Sequence, residues 1–181
     1  METANLPSDP TRQAGGAFSS IATARAVLQA ASTGGLATLT ADGAPFASLV
    51  LVATTTEGEP ILLLSGLAVH TQNLMRDSRA SLLLVAGGGE GGDPLAGARL
   101  SISGSVAVDP DADSRRRFLA HHPEAEAYAG FGDFGFYRLA IAGAHLVAGF
   151  GRIVDLGRDD LIADGPCQNE KAREIPGPSI A

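Results

Sequence analysis

Ser65, His70 and Thr71 are the residues whose types and spacing first suggest chemistry in this chain. They stand where an apolar run, Ile61 to Leu64, stops at Ser65-Gly66 and Leu67, Thr71, Leu74 and Met75 begin to recur at helical spacing. A strand ends there, a turn follows and a short helix starts. Ser65 reads as the N-cap, because its hydroxyl can accept from an unpaired amide of the first turn. Free amides and the positive end of a helix dipole favour an anion, and His70 and Thr71 add side-chain donors. A phosphate suits such a place. An ordinary capped surface helix is the plainer alternative, and the residues alone leave both open.

Other chemistry-bearing groups are weaker. Adjacent His121 and His122 point apart on any regular element, and helix-end histidines are the simpler reading. His145 reads as a strand residue with a satisfied ring. The loop Gly87 to Gly92 lacks the Gly-Lys-Ser/Thr ending of a nucleotide-binding loop. No Gly-x-Ser-x-Gly elbow supports a hydrolase triad. Arg115 to Arg117 reads as a solvated helix face that pairs with Asp111 and Asp113. Tyr128, Phe131, Phe134, Phe136 and Tyr137 read as core, with Phe134 and Phe136 on one face at period two.

The elements that position these residues follow from the punctuation of the chain. Met1 to Gly16 is polar and Pro/Gly-bearing, and residues 1–18 read as a flexible arm. Ser19 or Ser20 caps a helix to about Ala30, ended by Gly34-Gly35. Strands are expected at Leu36–Thr40, Phe46–Thr55 and Ile61–Leu64, joined by Asp42-Gly43 and Gly58-Glu59-Pro60 turns. Short connections make this an antiparallel meander. A short helix, Ala68–Arg76, precedes strands at Arg79–Ala86 and Ala98–Val108. A helix from Pro110 to Ala120 and a second from Pro123 to Tyr128 follow. Asp133–Ile141 and His145–Phe150 read as a closing pair of strands turning about Ala142-Gly143-Ala144. The expected class is mainly β with short helices (α+β), six or seven antiparallel strands forming a small closed or half-closed barrel. Residues 19–154 make the barrel domain, and 155–181 read as a polar C-terminal tail.

Composition narrows the function. The 181 residues suit one domain, 45% hydrophobic, with net charge −7 and pI about 4.9. That balance argues against a nucleic-acid binder and against attraction to an anionic membrane. Lys171 is the lone lysine among thirteen basic residues and falls in the tail, so a Schiff-base enzyme has no candidate. Cys167 is the single cysteine, which excludes an intrachain disulfide and a Cys-rich zinc site. No apolar run approaches membrane-span length, and Met1 to Ser20 has no secretory pattern. A cytoplasmic location is the expectation.

Several pieces, in one order along residues 20 to 160, resemble a known family. They are Gly43 to Val50, Leu64 to Leu74 with its Ser-x-Leu-Ala-x-His-Thr-x-Asn-Leu centre, and Arg79 to Leu83. Asp93 to Leu100, His122 to Ala125, Asp133-Phe134 and Gly149 to Arg152 complete the series. The chain resembles the pyridoxamine 5′-phosphate oxidase-like, FMN-binding split-barrel superfamily, and within it the haem-utilisation-type branch. The resemblance implies a split-barrel homodimer with FMN in clefts between the subunits, the flavin phosphate near the start of the short helix. It makes Ser48, Leu49, Val50, Ser65, Leu67, His70, Thr71 and Asn73 cofactor-binding candidates, with Arg152 approaching from the other subunit. It implies an FMN-dependent oxidoreductase acting on a small molecule, with no catalytic residue identified. The alternative is a non-catalytic haem- or cofactor-binding split-barrel protein. Relatives often place Arg where Gly66 stands, and no Arg or Lys lies between Ser48 and Leu74. Phosphate binding would then rest on amides, hydroxyls and His70, with Arg76 or Arg79 as outside help.

Overall fold

The computed structural model describes residues 19–87, 97–148, 152–162 and 173–174. The expected arm (1–18), most of the Gly-rich loop (88–96), Gly149 to Gly151 and the remainder of the tail lie outside the described residues. The chain runs α1 (Ser20–Ala30), β1 (Thr33–Leu39), β2 (Pro45–Thr54), β3 (Pro60–Ser65), α2 (Val69–Arg76), β4 (Arg79–Val85) and β5 (Ala98–Val108). Then come α3 (Ala112–His121), a 3-10 turn (Pro123–Ala127), β6 (Phe134–Ala148), β7 (Ile153–Gly157), α4 (Arg158–Leu161) and the two-residue β8 (Arg173–Glu174).

All strand pairs are antiparallel, in the order β3-β2-β1-β4-β5-β6-β7-β8, and β3 also pairs with β6. That extra pairing closes six strands into a barrel. The turns have the chemistry the sequence suggested. Gly43, with φ 84, makes the tight β1–β2 turn, where only glycine is at ease.

β6 is a single fifteen-residue strand, not the expected pair. Ser103 faces Gly143 while Gly104 faces Ile141, so Ala142 is an extra residue, a β-bulge. The bulge lets one strand serve two partners. Phe134 to Arg138 pairs with β3, and Gly143 to Val147 pairs with β7. The Ala-Gly-Ala segment bends the strand without reversing it.

Two other expectations change. Gly34 and Gly35 do not end α1, whose C-cap is Ala31; they lie inside β1. Gly34 is buried under β4, where an added Cβ would sit 2.8 Å from Leu84 Cδ2, so close packing accounts for the glycine. The sheet also continues past Val154. β7 crosses the expected 154/155 boundary, and Leu156 and Leu161 join the core.

The interior is lined by Leu36, Val50, Val52, Leu62, Leu64, Leu82, Leu84, Leu100, Ile102, Leu139, Ile141 and Leu146. α1 packs Ala24, Val27 and Leu28 onto it, and α2 adds Leu74. A second cluster lies outside the barrel wall, where Phe118, Ala125 and Ala129 cover Ala53, Ile61, Leu63 and Phe136. Phe118 meets Phe136 edge-on at 5.6 Å, and burying one such ring contributes about 1.5–3 kcal/mol. Phe134 and Phe136 thus serve the core. His122 caps α3 and donates from Nε2 to the Val52 carbonyl at 2.8 Å, a helix-end role as expected. Arg116 and Arg117 pair with Asp113, while Arg115 reaches the Ala129 carbonyl and lies over the Phe136 ring.

Candidate functional site

Strand β3, a turn and helix α2 follow one another as the sequence implies, but the side chains are used differently. Ala68 is the N-cap of α2, with no side-chain cap bond. Ser65, expected in that role, stands three residues earlier. Its hydroxyl accepts from the Leu67 amide at 3.1 Å and donates to Asp133 Oδ2 at 2.6 Å. The Asp133 carbonyl takes the Gly66 amide as well, at 2.6 Å. Asp133 therefore ties the start of β6 to the turn. It also sets a carboxylate where an anion was expected.

Asn73 is buried and donates from Nδ2 to Thr38 Oγ1 at 3.1 Å, joining α2 to β1. It holds the helix in place. Burial pushes the His70 imidazole below its ordinary value, which favours the neutral ring over a charged anion contact. Val50 lies in the barrel core, whereas Leu67 and Leu49 are exposed. Arg152 is exposed just ahead of β7.

Ser48 and Thr71 have a distinct status. Their hydroxyls are the buried side-chain polar atoms without a hydrogen-bond partner among the described residues. Ser48 falls at the inward-facing period of β2, with Val50 and Val52, and Thr71 is fully buried on α2. An unpaired buried hydroxyl costs free energy, so replacing it with a shape-matched apolar group relieves the cost. Thr71→Val is expected to raise stability by about 1 kcal/mol, read as a higher urea midpoint. A fall in the midpoint would mean that the hydroxyl has a partner.

A second surface was only partly named by the sequence. Residues directly opposite on antiparallel strands share a face. Leu49, Gly35, Leu83, Ser101, His145 and Asp155 are opposite one another in turn, a row crossing β2, β1, β4, β5, β6 and β7. One row along, Val85, Arg99, Val147 and Ile153 stand in register. This is the outer wall of the barrel, since the alternate residues Leu82, Leu84, Leu100 and Leu146 form the core. Leu49 is 78% exposed, Leu83 43% and Val85 48%. His145 Nδ1 lies 2.7 Å from Asp155 Oδ1. A strand that is apolar on every residue, as Ser81 to Val85 nearly is, signals cover on both faces. That was the signal for this surface.

Among the described residues no group of three metal-type side chains comes together, and no helix is long and apolar enough to cross a membrane.

Residues 18–160 match the family described as CREG, beta-barrel. HOZ of Arabidopsis thaliana, a chloroplast protein named a haem oxygenase, is 35% identical over 122 residues, 64% of this chain and 36% of that protein. The chain thus spans about a third of the length of that curated relative. A haem-binding protein from Mycobacterium smegmatis superposes with a TM-score of 0.74 at 32% identity, covering 80% of this chain and 60% of that one. A protein of the pyridoxinephosphate oxidase family from Clostridium acetobutylicum shares the fold at TM-score 0.60 and 12% identity, covering 78% and 96%. With a matching family over most of its length and a six-strand barrel of this topology, the chain belongs to the CREG β-barrel family of split-barrel proteins.

Proposed function

We propose that this chain is a haem-binding split-barrel protein that acts as a homodimer, with the ligand held against the outer wall of the barrel. The observation that carries the reading is the exposed apolar surface of Leu49, Leu83 and Val85 on strands whose other side is core. Haem is a flat, largely apolar ring with two carboxylates at one edge, and exposed apolar side chains on the wall offer its face a place to rest. A second subunit laid over the same wall would remove the remaining apolar surface from water. The haem named for the 35% and 32% identical relatives supports the same ligand class. The chain covers only part of each.

An FMN-dependent oxidoreductase is the second reading, favoured by the unpaired hydroxyls of Ser48 and Thr71. Bound FMN would supply the hydride and electron chemistry. The donor set suits its phosphate poorly. Asp133 occupies Ser65, Asn73 serves Thr38, and His70 is held toward its neutral form. The two free hydroxyls are sealed from solvent.

Parallel titrations of the purified full chain with haemin and with FMN separate the readings. The expected result is a shifted Soret band with haemin, unquenched fluorescence with FMN, and elution as a dimer. Quenched flavin with an unaltered haemin spectrum would reverse the order of the two readings. Elution as a monomer in the presence of haemin would remove the dimer.

A further inference from the structure

The geometry points to His145 as a ligand of the haem iron through Nε2, with Asp155 as the residue that positions it. This rests on the haem reading above and goes further, because it names the iron contact.

The pair is built as a metal-binding imidazole is usually built. Asp155 Oδ1 lies 2.7 Å from His145 Nδ1. A carboxylate on one ring nitrogen holds that nitrogen protonated and leaves the lone pair on the other. Nε2 has no hydrogen bond among the described residues. His145 and Asp155 face each other on β6 and β7, so the ladder fixes both backbones, and Asp155 is paired again by Arg173 of β8. The ring therefore has a set direction on a half-exposed side chain.

The residues beside His145 on its face, Ser101, Ser103, Gly143 and Gly157, are small. Beyond them the row continues into the exposed apolar Leu83, and the next row supplies Val85, Val147 and Ile153. An imidazole rising from small neighbours beside apolar surface suits an axial ligand.

A nucleophilic reading of Ser101, His145 and Asp155, which share one row, is not supported. Ser101 makes no hydrogen bond to the ring among the described residues, and β5 lies between β4 and β6. Its amides are spent on the ladder, so none is left to stabilise an oxyanion.

The test compares the unmodified full chain with His145→Ala, His145→Gln and Asp155→Asn, each titrated with haemin. Absorption and resonance Raman spectra are recorded, with thermal melting as a check on folding. The unmodified chain is expected to show an iron–histidine stretch in the ferrous state. His145→Ala and His145→Gln should lose it, bind haemin at least about tenfold more weakly, and melt as the unmodified chain does. Added imidazole should restore a histidine-type spectrum to His145→Ala. Asp155→Asn should keep the stretch at a lower frequency and weaken binding by about tenfold. An unchanged iron–histidine stretch in both His145 variants would overturn the ligand assignment while leaving the haem reading intact. An unmodified chain that binds no haemin would overturn both.

Discussion

Gly104→Ala is expected to lower the stability of the barrel by about 3 kcal/mol or more, because no neighbour can move away from the added methyl group. Gly104 sits on β5 at the register shift, opposite Ile141. A Cβ there would press on the Ala140 carbonyl oxygen and lie 3.0 Å from its carbon, both atoms of the main chain. A side chain could rotate to relieve the clash, but a laddered strand cannot. Either β6 shifts or the bulge at Ala142 is lost, and the second outcome would turn every following side chain to the other face. Gly130→Ala is the control. Nothing lies within 4 Å of its added Cβ, and an exposed change of that kind should stay within about 0.5 kcal/mol. Urea midpoints of the two variants measure the contrast. Equal midpoints would mean that the bulge does not need the glycine.

Arg138→Ala is the second large effect. Arg138 donates from Nε and Nη2 to the two oxygens of Asp109 at 3.0 and 3.1 Å, and from Nη2 to Ser114 Oγ at 3.0 Å. It ties β6 to the segment leading into α3. The Asp109 side chain is 3% exposed and the Arg138 side chain 31%. Burial pushes the Asp109 carboxyl up, but bonds from Ser114, Arg138 and the Asp111 amide together outweigh it and hold the group below its usual range. Removing the guanidinium strands a buried carboxylate, which costs about 3 kcal/mol. The pH dependence follows from the sign. A carboxyl depressed in the folded state contributes stability above its unfolded value near 4, lost as pH falls through the lower folded value. Without Arg138 the burial effect is less opposed, and the carboxyl rises. The variant should therefore lose stability at neutral pH and be less sensitive to acid below pH 4 than the unmodified chain. Denaturant midpoints from pH 3 to 7 provide the check, and parallel curves for the two proteins would sink the idea.

Much of the barrel was legible because its turns are short and chemically distinct. Asp42-Gly43 and Gly58-Glu59-Pro60 mark reversals that only a few backbone conformations permit, and strands between them must be antiparallel neighbours. Where small residues stood for packing, the reading failed. Ala142-Gly143-Ala144 resembles a turn in composition, yet it is a bulge within one strand. Gly34-Gly35 resembles a helix stop, yet Gly34 is small because Leu82 and Leu84 lie over it. The strand through Val154 and Leu156 was hidden because Asp155 and Gly157 alternate with them and the run is only five residues long.

The site was legible by type and not by direction. Ser48, Thr71 and Asn73 are polar residues near one helix, as expected, but the hydroxyls of Ser48 on β2 and Thr71 on α2 are buried and Asn73 bonds Thr38. Ser65 could be seen to cap something, but its partner Asp133 lies 68 residues away in the chain. His145 was expected to have a satisfied ring, and Asp155 satisfies one nitrogen. That His145 shares a row with the exposed Leu49 and Leu83 depends on strands brought together from the whole length of the protein.

The pairing of β3 with β6 joins residues about seventy positions apart, and β1 meets β4 across nearly fifty. Hairpins between successive strands can form early, but the ring exists only once both distant pairings are made. The row from Leu49 to Asp155 crosses the β1–β4 junction. A ligand on that row has nothing complete to hold in a partly folded chain. It cannot guide the folding of the barrel, and can only add to the stability of the finished one in proportion to its concentration and affinity.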